Sequence, residues 1–152
     1  MTSNQVKIPE ADKRRLFSFA LQKKNGVVLL EGPSGCGKTA LMQELVQEAE
    51  FPLFLTSQEL VELLLSAIKK EGFIADAIDR AVAILEEFGL VIIEDIDMQK
   101  GKEATLETIG KLVKRLSQNA VVLFTGIRLS ERVPALLEQV HIDLWIKVKE
   151  KE

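Results

Sequence analysis

The residues with the clearest chemical pattern form a glycine-rich segment, GPSGCGKT at 32–39, which has the GxxxxGK[ST] form of a phosphate-binding loop. Its glycines allow positive φ angles and close backbone approach, so that several N–H groups and a helix N-terminus can converge on phosphate oxygens. Lys38 would reach the β- and γ-phosphates of a nucleotide, and the Thr39 hydroxyl would bind magnesium. An apolar run precedes the segment and an amphipathic pattern follows it, which is the context this motif requires. The predicted nucleotide-binding residues are Gly32, Pro33, Ser34, Gly35, Cys36, Gly37, Lys38, Thr39 and Ala40.

A second group of chemically capable residues, Glu94 and Asp95, places two adjacent carboxylates at the end of an apolar run. Charge at the tip of a buried strand is costly. A magnesium ion beside the phosphates would offset that cost, because this hard cation takes carboxylate or water oxygens as ligands. On this interpretation Glu94 holds the metal, directly or through water, and Asp95 polarises the attacking water as general base. A capping or turn role is the alternative for such acids, and it is the role assigned to Asp97.

Four other side chains could have either a functional or a purely structural role. Thr125 closes the run VVLFT, and its hydroxyl would meet the γ-phosphate or the attacking water if that strand lies between the other two; otherwise it caps the next turn. Cys36 is interpreted as a small loop residue rather than a redox switch. His141 is assigned a surface or structural role, and Trp145 is assigned to the core.

These residues need a scaffold that gathers strand ends at one edge of a sheet. Short β-branched runs alternate with helical patterns, which is typical of βαβ units and of a parallel sheet covered on both faces. The predicted strands are 27–31, 53–55, 90–94, 121–125 and 144–148. The predicted helices are 14–24, 38–48, 74–88, 103–116 and 130–140, together with one that a capping box at 56–59 opens. Gly89 is predicted as the left-handed C-cap of the helix 74–88, and Pro134 is predicted in the first turn of the helix 130–140.

Length and composition limit the class of protein. A chain of 152 residues with 47% hydrophobic residues is expected to form a single domain, with loose ends at 1–12 and 149–152. Its net charge of −3 differs from that of a basic nucleic-acid-binding domain. A single cysteine excludes an internal disulfide framework and a cysteine-based zinc site. The sequence has neither a secretory signal nor a membrane-spanning run, so the expected location is cytoplasmic.

Four segments in order, EGPSGCGKTAL, LTSQEL, VIIEDID and VVLFTGIRLSERVPALL, resemble the AAA+ ATPase core of the bacterial replication initiator DnaA and its Hda relatives over about residues 14–148. The resemblance implies an α/β P-loop NTPase sandwich of three layers, with five parallel strands in the order 5-1-4-3-2, and magnesium-dependent ATP binding. It implies that residues 32–39 are the Walker A loop, that Glu94 and Asp95 are the Walker B acids, and that Thr125 lies near the sensor-1 position. An initiator, a sliding clamp or single-stranded DNA is the implied partner.

Three departures from that family pattern predict slow hydrolysis. The Walker B acids stand in the order Glu-Asp, and the shorter second carboxylate would blunt the reaction. Residues 136–140 contain no arginine where relatives carry one that acts on a neighbour's ATP, which leaves Arg128 and Arg132 as stand-ins. A C-terminal helical lid with its sensor-2 arginine is expected to be absent.

Three functions remain open from the sequence. The leading one is a DnaA/Hda-like ATP-binding module with weak or partner-dependent hydrolysis, acting in replication initiation or its regulation. A nucleotide-dependent protein-interaction module without significant hydrolysis is the second, and a small metabolite kinase is the third. Two basic clusters could contact DNA, although a solvated helix face explains each of them: Lys111, Lys114 and Arg115, and Lys13, Arg14 and Arg15. The oligomeric state is left open.

Overall fold

Five parallel strands form one sheet in the order β2-β3-β4-β1-β5 in the computed structural model, which describes residues 7–98 and 103–149. The strands are β1 (Gly26–Glu31), β2 (Pro52–Thr56), β3 (Leu90–Glu94), β4 (Val121–Gly126) and β5 (Leu144–Lys147). Each pairing between neighbours is parallel. The predicted order 5-1-4-3-2 is confirmed, because it is the same order counted from the other edge.

Helices cover both faces of this sheet, so the predicted three layers are confirmed. They are α1 (Glu10–Gln22), α2 (Lys38–Glu48), α3 (Ser57–Glu71), α4 (Ile74–Leu85), α5 (Glu103–Leu116), α6 (Leu129–Arg132) and α7 (Pro134–Leu137), with a 3-10 turn at Ile96–Met98 after β3. α1 and α2 pack on one face, and the other helices pack on the opposite face. Within the two described ranges, no helix is long and apolar enough to cross a membrane.

Alternate residues of β1 belong to different halves of the core. Val28 and Leu30 pack with α1 and α2, whereas Val27 and Leu29 pack with the helices of the other face. All four side chains are at most 1% exposed. A strand that is buried on both faces needs apolar residues at successive positions, which is why the predicted runs are continuous rather than alternating.

The helix after β2 begins with the predicted capping box. The Glu59 amide donates to Thr56 Oγ1 at 3.1 Å, and the Thr56 amide donates to Glu59 Oε1 at 2.9 Å. Two amides at the start of α3 that would otherwise lack partners are therefore satisfied. The helix ends at Gly72, whose φ of 80° is the left-handed conformation of a C-cap.

The boundaries of two predicted helices are wrong. α1 begins at Glu10, four residues before the predicted start, with Pro9 as its N-cap, and it ends at Gln22. α4 ends at Leu85 rather than 88, and Gly89 is not its left-handed cap. The backbone of Gly89 takes part in the sheet instead: its amide donates to Phe51 O at 3.0 Å and its carbonyl accepts from the Val121 amide at 3.0 Å.

The predicted helix 130–140 is two short helices, α6 and α7. They are separated at Val133, whose φ of −130° and ψ of 45° are not helical. Val133 precedes Pro134, and a proline ring disfavours the helical conformation of the residue before it. Pro134 does occupy a first turn, as predicted, but it is the first turn of α7.

Candidate nucleotide-binding site

The phosphate-loop segment leaves β1 and enters α2 at the carboxyl edge of the sheet. Gly35 and Gly37 have φ angles of 82° and 97°, and Gly37 is the N-cap of α2. The helical hydrogen bonds start with the Leu41 amide, which donates to Gly37 O at 3.0 Å, so the earlier amides of the first turn are available to an anion. Gly32 does not adopt the positive φ expected of it; a Cβ there would lie 2.9 Å from Cys36 Sγ.

The Lys38 ammonium is held inside the curve of this loop. Its Nζ donates to Gly32 O at 2.6 Å and to Pro33 O at 3.0 Å, and the residue is only 8% exposed. Cys36 lies buried beneath the loop with its Sγ 3.8 Å from the same Nζ. An ammonium has three N–H donors. The two loop carbonyls therefore orient Lys38, and the third N–H, which donates to Cys36 Sγ at 3.8 Å, would turn to a phosphate oxygen when a nucleotide binds.

The two predicted magnesium ligands come together from different elements. Thr39 is the second residue of α2 and Glu94 is the last residue of β3, and the Thr39 hydroxyl donates to Glu94 Oε1 at 2.8 Å. Residues 7–98 and 103–149 contain no cluster of three or more acidic, histidine or cysteine side chains that would hold a metal alone. Two hard oxygen donors fit Mg²⁺, which keeps several water ligands and completes its octahedron with substrate phosphates.

The acid turn after β3 is fastened to the next strand. β4 lies between β1 and β3, as the interpretation of Thr125 required. The fully buried Thr125 is not among the residues that line the phosphate cleft, however; its Oγ1 accepts from the Asp95 amide at 3.0 Å. Asp95 has a φ of 55°, an uncommon value for a residue with a side chain. Thr125 thus stabilises the conformation that presents Asp95.

The surroundings of the Asp95 carboxyl disfavour its ionised form. Burial raises the pKa of the Asp95 carboxyl, and the neighbouring charges of Glu94 and Asp97 raise it further, whereas Lys38 lowers it. A carboxyl with a raised pKa is a stronger base when it is ionised. Such a site also favours a cation that would neutralise the crowded acids.

Two clefts meet at the phosphate loop. The first has a volume of about 320 Å³ and is lined by Ser34, Gly35, Gly37, Lys38, Thr39, Ala40, Asp95 and Ile127. The second, of about 340 Å³, is lined by Lys7, Ile8, Lys13, Gly35, Cys36, Gly37, Ala40, Leu41 and Glu44. They share Gly35, Gly37 and Ala40, so one elongated ligand could occupy both. Sequence reasoning missed Ile8 and Ile127, because an isolated isoleucine in a loop carries no chemical signal.

Three other residues singled out in the sequence lie away from the phosphate cleft. The Arg128 side chain is 61% exposed, lies 3.7 Å from Glu131, and lines a different cleft. The His141 side chain is 89% exposed. Trp145 packs against the core, as predicted, but it is only half-buried because it lies on the edge strand β5. Its Nε1 donates to Glu31 Oε1 at 2.9 Å.

Residues 28–148 match the ATPase family associated with various cellular activities (AAA), and the chain belongs to this family. Among solved structures it is similar to domain III of the Thermotoga maritima replication initiation protein DnaA, with a TM-score of 0.72 and 16% identity over 98% of this chain and 66% of that one. It is also similar to AMPPCP-bound DnaA from Aquifex aeolicus, with a TM-score of 0.63 and 16% identity over 93% and 48%. A third similar structure is the replication initiator DnaA bound to AMPPCP and single-stranded DNA. Its TM-score is 0.65, with 14% identity over 91% of this chain and 44% of that one.

These comparisons confirm the predicted AAA+ ATPase core, and its fold is similar to that of the DnaA structures. At such identities the likeness to the solved structures concerns the fold. The chain spans about half the length of several of the structures that it matches. A comparison with curated protein sequences gives no significant match.

Proposed function

We propose that this protein is a DnaA-like nucleotide-responsive module that binds ATP with magnesium at residues 32–40 and hydrolyses it slowly. The observation that supports this most directly is the 2.8 Å hydrogen bond from Thr39 Oγ1 to Glu94 Oε1, because it joins the phosphate loop to the acid strand. Lys38, oriented by two loop carbonyls beside this pair, supplies the positive charge that a triphosphate needs.

Thr39 and Glu94 are the residues that would hold the metal. The Thr39 hydroxyl gives its hydrogen to the carboxylate and keeps its oxygen lone pairs for a cation. Magnesium, when bound, neutralises charge on the phosphate oxygens and favours displacement at phosphorus. Glu94 contributes a full negative charge at the end of β3, which fixes where a cation is most stable.

Asp95 is the proposed general base. It lines the phosphate cleft opposite the loop, and the raised pKa of its carboxyl favours taking a proton from an attacking water. The water oxygen bonds to the γ-phosphorus, the bond to the β–γ bridging oxygen breaks, and the products are ADP and inorganic phosphate. No arginine lines this cleft within the described part of the chain. An arginine finger adds about 10³ to 10⁵ in rate where it is present, so turnover by the chain alone should be slow.

The nucleoside end of the ligand is assigned to the second cleft. Ile8, Ala40 and Leu41 give this cleft an apolar surface, and it adjoins the phosphate cleft across the loop. A flat heteroaromatic base binds well to such a surface, while its polar edge stays near water. Lys7 and Ile8 would then contact the base and help to hold it in the cleft.

A role in replication initiation or its control is proposed by analogy with the similar structures, with a replication protein or single-stranded DNA as partner. Lys111 and Lys114 are exposed on α5, whereas Arg115 pairs with Asp79. Binding of a single-stranded oligonucleotide, followed by anisotropy at two salt concentrations with and without AMPPCP, tests this proposal. Nucleotide-dependent binding that weakens with salt supports it, and binding that is the same without nucleotide contradicts it.

The nucleotide site is tested by thermal unfolding with ATP, ADP or GTP, with and without magnesium. A ligand at 100 times its Kd stabilises the native state by about 2.7 kcal/mol. We expect this increase in Tm for the wild type and for Lys70→Ala, which removes an exposed lysine of α3. Lys38→Ala should lose it. An equal shift in Lys38→Ala would place the ligand elsewhere.

The metal assignment has a separate test at Thr39. Thr39→Val keeps the shape of the side chain but removes the hydroxyl, so the increase in ATP affinity on adding magnesium should be lost. Thr39→Ser keeps the hydroxyl and should keep that increase. Isothermal titration with and without EDTA measures both, and an unchanged magnesium effect in Thr39→Val would contradict the assignment.

A further inference from the structure

Asp97 is a buried acid that the proposed reaction does not use. It lies in the 3-10 turn Ile96–Met98 and is 6% exposed. Its Oδ2 accepts from the Ile127 amide at 2.8 Å and from the Arg128 amide at 2.7 Å. Its Oδ1 is also buried and has no hydrogen-bond partner among the described residues. The predicted turn position of Asp97 is confirmed. A carboxylate oxygen buried without a partner is costly, however, so a place in a turn does not by itself explain why this residue is an acid.

The bonds made by Asp97 lie just beyond the point where β3 and β4 stop pairing in the sheet. The register of β3 against β4 ends at the pair Ile93 and Phe124. Beyond that pair, the Asp95 amide donates to the Thr125 hydroxyl, and Asp97 accepts in return from the loop that follows β4. Side-chain hydrogen bonds therefore continue to join the β3 and β4 segments beyond the last backbone pair, with one donor in the β3 segment and two in the β4 segment.

The same connection reaches the phosphate loop through Gly126. The Gly126 carbonyl accepts from the Gly32 amide at 3.1 Å, which ties the end of β4 to the first residue of the loop. A Cβ on Gly126 would lie 2.8 Å from Asp97 Oδ1 and 2.4 Å from Leu129 Cδ2. Only a residue without a side chain at position 126 lets the Asp97 carboxylate pack this closely against the end of β4.

We propose that Asp97 is a positioning residue for the hydrolysis proposed above, on which this inference rests. It holds the loop after β4 against the end of β3, and it thereby sets Asp95 and Ile127 on their sides of the phosphate cleft. Asp97 does not line that cleft itself and acts through these neighbours. Its effect should fall mainly on the chemical step, because the phosphate loop is held by the Lys38 hydrogen bonds to Gly32 and Pro33 as well as by the bond to Gly126.

Three variants test the proposal. Asp97→Ala removes both hydrogen bonds. Asp97→Asn keeps an acceptor oxygen for the two amides but removes the charge. Asp143→Ala is the matched control, because Asp143 Oδ2 likewise accepts from a backbone amide, that of Val27 at 2.9 Å, at the amino edge of the sheet and far from the phosphate loop. The measurements are single-turnover ATP hydrolysis, affinity for a fluorescent ATP analogue, thermal unfolding, and hydrogen exchange at the Ile127 and Arg128 amides.

Asp97→Ala should hydrolyse ATP about 10- to 100-fold more slowly, the effect of a misplaced catalytic group, at nearly unchanged nucleotide affinity. Its Ile127 and Arg128 amides should exchange faster. Asp97→Asn should hydrolyse ATP at nearly the wild-type rate. This variant can still be measured if Asp97→Ala does not fold. Asp143→Ala should lose stability but keep the wild-type rate.

The results separate this inference from the proposed function. A wild-type protein that neither binds nor hydrolyses ATP overturns the proposed function, and the role of Asp97 with it. A wild-type protein that hydrolyses ATP, with an Asp97→Ala variant that exchanges faster but reacts at the same rate, overturns only the inference. An Asp97→Asn variant as slow as Asp97→Ala also overturns it, because the retained acceptor would then not be what matters.

Discussion

The Asp95 carboxyl is the acid whose ionisation the fold opposes. Burial raises its pKa first, and the charges of Glu94 and Asp97 add to the effect against the attraction of Lys38. The folded state therefore binds a proton at pH values where the unfolded chain has released it. Stability should fall as the pH rises from the ordinary aspartate pKa through the raised folded pKa.

Asp95→Asn removes this penalty, so the variant should be more stable than the wild type at neutral pH. We expect Tm to rise by about 1–3 °C, measured without nucleotide and with EDTA. The pH-dependent part of this difference should disappear well below about pH 3.9, the ordinary aspartate pKa, because the wild-type Asp95 carboxyl is then protonated in both the folded and the unfolded state. Glu87→Gln, at an exposed position of the turn after α4, is the control variant measured alongside. A lower Tm for Asp95→Asn at neutral pH would contradict the cause assigned to the raised pKa.

At the scale of elements, the start of α3 depends on its reciprocal cap. Thr56→Ala removes the oxygen that accepts from the Glu59 amide, and we expect the free energy of unfolding to fall by about 1 kcal/mol. Thr56→Ser keeps the oxygen and should change it little. Urea denaturation measures both variants, and equal losses in the two would show that the methyl group matters rather than the cap.

The packing of α5 against the segment after α7 gives a second test on this scale. Gly110→Ala improves helix propensity by up to about 1 kcal/mol. Its Cβ would lie 2.7 Å from Gln139 Cβ and 3.2 Å from Leu136 O, however, and overpacking of this kind costs about 1–3 kcal/mol. We therefore expect a net loss of stability. Adding Gln139→Gly should recover part of it, which a double-mutant cycle in urea can measure.

At the scale of the whole molecule, neighbouring residues of β3 anchor opposite halves of the core. Ile92 packs with the α1 and α2 layer and Ile93 with the other layer, and both are fully buried. Ile92→Ala and Ile93→Ala should each cost about 2–5 kcal/mol. If the chain is one domain, as its length predicts, Trp145 fluorescence and far-UV circular dichroism should give one urea transition in both variants. Two separate transitions would show that the layers unfold independently.

Much of this molecule follows from patterns that are local in the chain. The strand cores, the capping box and the phosphate loop were all predicted, because continuous apolar runs, capping residues and glycine placement act over a few residues. The end of α4 was placed three residues too late, since the sheet recruits the backbone of Gly89. The break at Val133 was missed, although the proline after it was the available signal.

The sequence by itself determined the chemistry that is available: a loop for phosphates, a lysine, and two acids at a strand end. Tertiary structure decided which groups meet. Thr125 bonds to Asp95, and Asp97 to the loop after β4, across about 30 positions of the chain, and only the placement of β4 beside β3 brings them together. Contacts of that kind depend on strand order and on how closely two backbones approach, and neither leaves a pattern in neighbouring residues.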